Sequence, residues 1–482
     1  MNILFLVPPN LENLNVLRDS VYGCWCKGNR MGGATAPPHP LLLMATCVRD
    51  AGHNVCVVDA LIDPVGKQKL QSQIAEIDAV VVQTSVMAFL DDCEVLLWLK
   101  EQNPDVKAIV CGSMPTFLPE KTLKHDAVDL IVQGEAEEVL VELFRRIEGR
   151  EKFNGLIGLG YKDGGKSIIT GKASPIENLD LLPHADWSLL DHGQTYFNPI
   201  IKRHPYVTEL TTRGCFAKCV FCMAPQFYGG KIRGHSADYV LEALEKYQQQ
   251  GIKEIYFRDE MFTSLKKRNL IIWETMIRRK IDLAWICSSR VNAIDESDIK
   301  LMKKAGCHWI KFGVESGSQK ILDNMKKDIS LDEVRKTFAL CRKHGIHTHA
   351  HFMIGCVGES WETINETNKF AREIKPTTAT FGMLNVYPGT TLWDRLKEDC
   401  PSLEDGFSLR LQNLHSQSFL TDKLTELSAE ELKAAVKIVH RKFFLRPGYL
   451  VSHLQRMRSW QDIFALFRAG RKIIDYAIKG ND

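Results

Sequence analysis

No run of residues in this chain approaches the ~18 consecutive apolar side chains of a membrane-spanning helix, so no transmembrane segment is expected. The opening residues, MNILFLVPPN, lack a basic stretch ahead of their apolar run, and that run is too short for a secretory signal. A cytoplasmic protein is therefore expected. Net charge is scarce as well. The 62 Lys and Arg residues nearly balance 59 Asp and Glu, leaving +3 over 482 residues. That argues against nucleic-acid binding driven by bulk electrostatics. No GxGxxG turn occurs, so a dinucleotide site is not expected. A disulfide framework is not expected either. Most of the 14 cysteines, among them Cys47, Cys93, Cys307 and Cys341, are scattered in apolar contexts and read as small buried thiols in a reducing compartment. Cys24 and Cys26, in YGCWCKG, suit neither a zinc knuckle nor a redox pair and read as a loop.

The length suggests about two to three domains. Residues 1–143 alternate short apolar strands (NILFLVPP, NVCVVDAL, DAVVVQTSV, VKAIVCGSM, DLIVQGEAE) with helix-like stretches. This pattern predicts a Rossmann-like, doubly wound parallel sheet, and five strands suit a flavodoxin-like order with its ligand at the carboxyl ends of the strands. Those ends carry Pro9 and Asn10, Thr84 and Ser85, Gly112 and Ser113, and Gly134 and Glu135. Residues 144–205 read as a linker with a short hairpin turning on Asp163-Gly164-Gly165. Residues 206–397 hold about six further strand–helix repeats, which suit a partial (β/α)6 barrel of the TIM type with its reactive residues at the strand carboxyl ends. Residues 398–482 read as helical, with Ser428 and Glu431 placed for a capping box. The last piece, LVSHLQRMRSWQDIFALFRAGRKIIDYAIKG, mixes apolar and basic residues at helical spacing. It suits helices packed over the barrel mouth or peripheral contact with a membrane surface.

Cys215, Cys219 and Cys222 stand in TTRGCFAKCVFCMAP at CxxxCxxC spacing. Three thiolates around a [4Fe–4S] cube leave one iron without a protein ligand. A structural zinc site would want a fourth Cys or His nearby, and none follows closely. The triplet, with Gly214 before it and the aromatic Phe221 inside it, resembles the radical S-adenosylmethionine (SAM) superfamily. The resemblance implies that the open iron binds SAM and that an electron from the cluster splits its sulfonium to a 5′-deoxyadenosyl radical. It also implies a SAM site built from Phe221 and from the strand ends. FRDE, with Asp259 and Glu260, takes the place of the family's turn facing the SAM amino group. Arg290 is placed to pair with the SAM carboxylate. Glu315 and Ser316 match the ESGS-like turn near the ribose. Gly355 lies in MIGCVGE, which resembles the turn beside the adenine, although Cys356-Val357 replaces the usual Leu-Pro. Tyr387 opens the closing YPGT turn. No catalytic residue is assigned.

On the fifth strand of this region, His347, His349 and His351 alternate and share one face. In a barrel strand that face is the lumen, so these imidazoles are candidates for the substrate cavity, with a three-His zinc site as an alternative.

The first region resembles the cobalamin-binding (B12-binding) domain found ahead of many radical SAM domains. CGSMPT around Gly112, GEAEE from Gly134 and RDAGHNVCVVDA at 49–60 carry the resemblance, and LDLLPHADWSLLD resembles the linker between the two domains. The DxHxxG motif that supplies a lower axial histidine is absent, which implies base-off cobalamin without that ligand. His53 reads as structural, and His39 lies near a loop that could reach the cofactor. The implied cofactors are a [4Fe–4S] cluster, SAM and cobalamin, with a small-molecule substrate and an electron donor such as flavodoxin or ferredoxin. The implied activity is methylation of an unactivated carbon by reductive SAM cleavage and methylcobalamin. Alternatives are a cobalamin-dependent oxidative cyclase or other radical rearrangement in tetrapyrrole, lipid or secondary-metabolite biosynthesis, and a methylthiotransferase. From another class, the chain would be a cobalamin-binding sensor with a vestigial barrel, against which the intact cysteine triplet speaks.

Overall fold

The computed structural model describes residues 1–9, 17–19, 23–26, 35–62, 66–190, 196–399, 423–447 and 449. The chain divides into two compact units. The first takes residues up to 197 together with 227–229, and the second takes 31–34 and the rest from 198 onward.

Among the described residues the first unit holds nine strands: β1 (Asn2–Val7), β2 (Leu17–Asp19), β3 (Gly23–Cys26), β4 (Asn54–Asp59), β5 (Ala79–Thr84), β6 (Lys107–Gly112), β7 (Leu130–Val132), β8 (Leu159–Asp163) and β9 (Lys166–Ile169). β2 and β3 form a separate antiparallel pair. The other seven make one sheet in the order β4-β1-β5-β6-β7-β8-β9. Its first five strands are parallel and follow the expected flavodoxin-like order. Their sequences explain this. NILFLV, AVVVQT and KAIVCG are almost continuously buried, as strands covered on both faces must be. Ile3, Phe5, Val81 and Ile109 face one layer, where they pack with Leu42 and Val48 of the helix His39–Asp50 and Leu140 and Phe144 of the helix Glu137–Glu148.

The expected hairpin is β8–β9. It joins this sheet, pairing antiparallel with β7 at its edge. Gly164 (φ +55°) and Gly165 (φ +80°) make its two-residue turn, whose left-handed backbone at both positions matches the twist of the flanking strands.

The second unit holds β10 (Tyr206–Glu209), β11 (Thr212–Arg213), β12 (Arg233–Gly234), β13 (Glu254–Phe257), β14 (Ala284–Ser289), β15 (Cys307–Glu315), β16 (His347–Ile354) and β17 (Thr378–Met383). Six of them form a parallel sheet in simple sequential order, β10-β13-β14-β15-β16-β17. Helices Ala237–Gln249, Lys266–Arg278, Leu331–Lys343 and Trp361–Glu373 are among the crossovers. Sequential parallel strands with right-handed crossovers curve into a barrel wall, here an open, partial one.

β16 displays the two faces of that wall. Thr348, Ala350, Phe352 and Ile354 are buried, whereas His347, His349, His351 and Met353 are half-buried. The first set packs under the helices. Phe352 stacks on Phe381 of β17 with ring centroids 5.1 Å apart, and Phe381 meets Phe443 of the helix Ala429–Phe444 at 5.6 Å. That helix begins with the capping box read from Ser428 and Glu431. It covers the helix-side face of β17. The basic–apolar piece from residue 450 onward lies outside the described residues. Among the described residues, no helix is long and apolar enough to cross a membrane.

Candidate active site

The cysteine loop leaves β11 through Gly214, whose φ of +93° suits glycine. Its backbone is pinned on both sides: Val220 N–H donates to the Met325 carbonyl (3.2 Å), and Leu392 N–H donates to the Val220 carbonyl (3.0 Å). The three thiols share one electrostatic neighbourhood. Burial raises the pKa of Cys215 and of Cys222, and the charge of the half-buried Glu260 raises both further. Met261 Sδ lies 3.3 Å from Cys215 Sγ, and Arg290 Nη1 lies 3.8 Å from Cys219 Sγ. Phe221 is half-buried beside Cys222.

Among the described residues, no three His, Cys, Asp or Glu side chains converge as ligands of a single ion. Thiolates that cap three different corners of a cube stand farther apart than the ligands of one zinc. The donor set fits a cluster: three soft ligands on one short loop, with cations beside them to offset its negative charge.

Those cations form a buried knot. Lys327 Nζ donates to Glu315 Oε1 at 2.8 Å. Burial works against the Lys327 charge, but Glu315 and then Cys219 outweigh it and the pKa rises. Arg290 Nη2 donates to the carbonyls of Lys327 and Asp328, the latter at 2.9 Å. Glu315 sits in the left-handed region, φ +67°. A buried charge without its partner is costly, so these groups hold one another in place. Lys327 is absent from the expectations drawn from sequence. It lies 12 residues beyond Glu315, in a plain MKKD stretch, and nothing local marks it.

Asp259 and Glu260 part company. Asp259 is buried, and its Oδ1 accepts from Thr211 N–H (3.1 Å), Thr211 Oγ1 (2.7 Å) and Thr212 Oγ1 (2.6 Å). It fastens the end of β13 to the segment leading into the cysteine loop. Burial raises its pKa against those bonds. Glu260 is the carboxylate whose charge reaches the thiols.

The remaining strand ends are turns held from within. Ser316 Oγ bonds Thr367 Oγ1 at 3.0 Å. Gly355 (φ +91°) and Cys356 both donate their N–H to Glu359 Oε2, the second at 3.0 Å. Glu359 is fully buried, its Oε1 has no hydrogen-bond partner, and burial pushes its pKa up to about 7 despite the two N–H bonds. The Tyr387 carbonyl accepts from Thr390 N–H (3.2 Å) and Oγ1 (2.7 Å).

The three lumen histidines pair with threonines. His349 Nδ1 bonds Thr378 Oγ1 at 2.6 Å, His351 Nδ1 bonds Thr380 Oγ1 at 2.9 Å, and His347 Nδ1 lies 3.4 Å from Thr377 Oγ1. Burial first, and then Lys311, push His349 down to about 3, so it is a neutral imidazole.

In the first unit the carboxyl edge is built differently. β1, β5, β6 and β7 end side by side at Val7, Thr84, Gly112 and Val132, so Pro9, Thr84, Ser85, Gly112, Ser113, Gly134 and Glu135 gather on one rim. Asn10 lies outside the described residues. The strand order reverses between β1 and β5, with β4 added on one side of β1 and β5 on the other, the switch point at which open α/β sheets bind ligands. Thr84 Oγ1 donates to Asp92 (2.5 Å) and Thr116 Oγ1 donates to the Gly112 carbonyl (2.6 Å), while Gly134 N–H donates to Thr116 Oγ1 (2.9 Å). Glu135 Oε2 accepts from Ile176 N–H at 3.1 Å. None of these rim residues is an imidazole. His53 is buried, with its ring 5.9 Å from Phe144, and His39 starts its helix with its ring 6.2 Å from Trp187. A rim of hydroxyls, glycines and backbone fits a corrin held without a lower histidine.

Comparisons with known proteins agree with both halves. Residues 210–371 match the radical SAM superfamily model, and residues 32–144 match the B12 binding domain model. An uncharacterised methyltransferase of Pyrococcus horikoshii is 30% identical over 94% of this chain and 95% of its own. The anaerobic magnesium-protoporphyrin IX monomethyl ester cyclase of Rubrivivax gelatinosus is 27% identical over 86% of this chain and 75% of its own. The same fold occurs in the radical SAM methyltransferase TsrM from Kitasatospora setae, solved with cobalamin and a [4Fe–4S] cluster. Its TM-score is 0.65 at 18% identity, over 83% of this chain and 75% of that one. Three loop thiols on a partial barrel, preceded by a flavodoxin-like unit, thus place the chain in the radical SAM superfamily, among the enzymes that carry a B12-binding domain and take a [4Fe–4S] cluster, SAM and cobalamin as cofactors.

Proposed function

We propose that this chain is a cobalamin-dependent methyltransferase that methylates an unactivated carbon of a small molecule. The observation that carries the reading is the pairing of a three-thiol loop beside Arg290, Lys327 and Glu260 in one unit with an imidazole-free hydroxyl and glycine rim in the other. When bound, the cofactors supply reductive cleavage of SAM and a transferable methyl group.

The chain's own residues hold and orient. Cys215, Cys219 and Cys222 ligate three irons. Glu260 faces the SAM ammonium, a charge-assisted contact, while Asp259 keeps the preceding strand in register. Arg290 and Lys327 offset negative charge at the cluster. Phe221 and the turns at Glu315-Ser316, Gly355 and Tyr387 shape the SAM cleft. Pro9, Thr84, Ser85, Gly112, Ser113, Gly134 and Glu135 cradle the corrin. The strand-borne lumen residues face the substrate. An external one-electron donor such as flavodoxin or ferredoxin completes the system.

The test is anaerobic purification and reconstitution, with iron, sulfide and cobalt counted, followed by product analysis with methyl-labelled SAM. About four irons and one cobalt per chain, with both 5′-deoxyadenosine and S-adenosylhomocysteine formed, support methyl transfer. The similarity to the cyclase favours a second reading, radical ring closure. Formation of 5′-deoxyadenosine without S-adenosylhomocysteine, the label found only in SAM and methionine and none in the product, would establish that reading instead.

A further inference from the structure

The lumen wall carries one polar layer whose members belong to five neighbouring strands. Register sets their places: Ser288 pairs with Lys311, Lys311 with His349 and His349 with Thr378, while Tyr256 pairs with Ile286, two residues before Ser288 on β14. In the middle of this layer Lys311 Nζ donates to the Tyr256 phenol oxygen at 2.8 Å, and Arg258 Nη1 donates to the same oxygen at 3.3 Å. The guanidinium also lies over the Tyr256 ring, 5.0 Å from its centroid.

Two features make this arrangement incomplete as it stands. A phenol oxygen that accepts from two cations has used its acceptor capacity and keeps one proton to donate. Tyr256 is only 3% exposed, and among the described residues its proton has no acceptor. A buried donor of that kind costs free energy unless something accepts from it. Lys311, in turn, makes no ion pair with a carboxylate among the described residues. The barrel carboxylates that could have served it are taken. Glu254 accepts from Lys202 N–H (2.9 Å), Arg203 N–H (2.7 Å) and His308 (2.8 Å), and Glu315 is bound to Lys327. The neutral His349 alongside contributes no compensating negative charge.

The phenol registers the charges beside it. Burial raises its pKa, but Lys311 and Arg258 override burial and bring it down to about 8. At neutral pH it is therefore still protonated, and a stronger donor than an ordinary tyrosine.

We infer that the substrate bears an oxyanion, a carboxylate or a phosphoryl group, which Lys311, Arg258 and the Tyr256 hydroxyl receive at the lumen wall. The inference rests on the reading of the lumen as the substrate cavity. It is independent of whether methyl transfer or ring closure follows. A substrate anchored at its anionic end has its reacting carbon placed by the distance between that end and the carbon, which is how binding energy from a non-reacting group serves positioning.

The experiment is a tyrosinate titration of the reconstituted holoenzyme, followed by ultraviolet difference absorbance. The Tyr256 signal is isolated by subtracting the Tyr256→Phe variant. Inorganic phosphate and acetate are the probes, each compared with chloride at matched ionic strength. A bound oxyanion cancels the cationic field on the phenol, so the Tyr256 titration is expected to move upward by about one unit. A shift with phosphate alone assigns a phosphoryl group; a shift with acetate assigns a carboxylate. Lys311→Met should raise the phenol without any probe and abolish the response. Arg258→Gln should weaken it, and provides a second variant should the first fail to retain iron and cobalt. A Tyr256 phenol that titrates at the ordinary tyrosine value, or one that titrates low and ignores both probes, overturns the proposal. So does a response that survives in a folded Lys311→Met protein. Because no SAM or methyl transfer enters the readout, failure here and failure of the methyltransferase reading are separate results.

Discussion

The two units end their strands in opposite ways. At the carboxyl rim of the first sheet, most of the residues gathered are hydroxyls or glycines, with Glu135 the one carboxylate among them; Thr84 bonds Asp92, and Thr116 ties Gly112 to Gly134. At the carboxyl ends of the second, the side chains are charged and buried, and they are held in pairs and knots such as Glu315–Lys327 and Arg290 with the Lys327 carbonyl. On the proposed reading, the difference follows from what each holds. A broad, flat corrin needs a rim low enough for its face to approach and makes small demands on charge. A charged cluster and a zwitterionic ligand need fixed opposite charges, which low dielectric makes strong and also costly to leave unpaired.

Three variants break this comparison in turn. The largest effect is expected from Cys215→Ala. On the proposed reading it removes a cluster ligand at the charged end, so cluster iron and SAM cleavage should be lost while cobalt is retained. Loss of both metals would show that the two ends depend on each other, which iron and cobalt analysis on one preparation decides. Next is Gly112→Val at the uncharged rim. A Cβ there would stand 2.3 Å from the Thr84 carbonyl, and the backbone φ is +104°. The strain should cost on the order of 3 kcal/mol or more, and the same metal analysis should show the reverse pattern: cobalt lost, iron kept.

The smallest effect is a pH dependence in the charged unit. Glu359 has its pKa raised from 4.5 to about 7. Its folded state therefore holds a proton that the unfolded state gives up between those values, and stability falls as pH rises through that window. Glu359→Gln removes the titration. The variant should melt higher than the parent at pH values above about 7, with the advantage vanishing toward the pKa of an ordinary glutamate. Thermal melts across that range measure it, and an advantage that does not change with pH would assign the effect to packing.

How much of this was legible beforehand divides along the same line. The parallel order of the first sheet was readable because its strands are apolar throughout and spaced by helices. The face shared by His347, His349 and His351 was readable because strands alternate with period two, and the Ser428 capping box because its partners are three residues apart. Contacts between distant residues were not. Lys311 and Tyr256 are 55 positions apart and meet only through the register of three strands. Glu315 and Lys327 meet because the chain returns after a short helix. Asp259 and Glu260 are adjacent, yet Asp259 is buried against Thr211 and Thr212 while Glu260 is half-buried with its charge felt at Cys215 and Cys222, a difference no local pattern reveals. The hairpin around Gly164-Gly165 announced its turn. Its antiparallel addition to the edge of the first sheet depended on β7 having an open side.

The sequential strand order of the second unit has a consequence for its birth on the ribosome. Every strand of its main sheet from β13 to β17 pairs with the main-sheet strand made just before it, so the wall can extend as the chain emerges, without waiting for a distant partner. Phe381 and the outer face of β17 are finished well before the helix Ala429–Phe444 that covers them. During that interval the growing end of the wall shows an apolar face and an unpaired edge, a natural stage for a chaperone to attend.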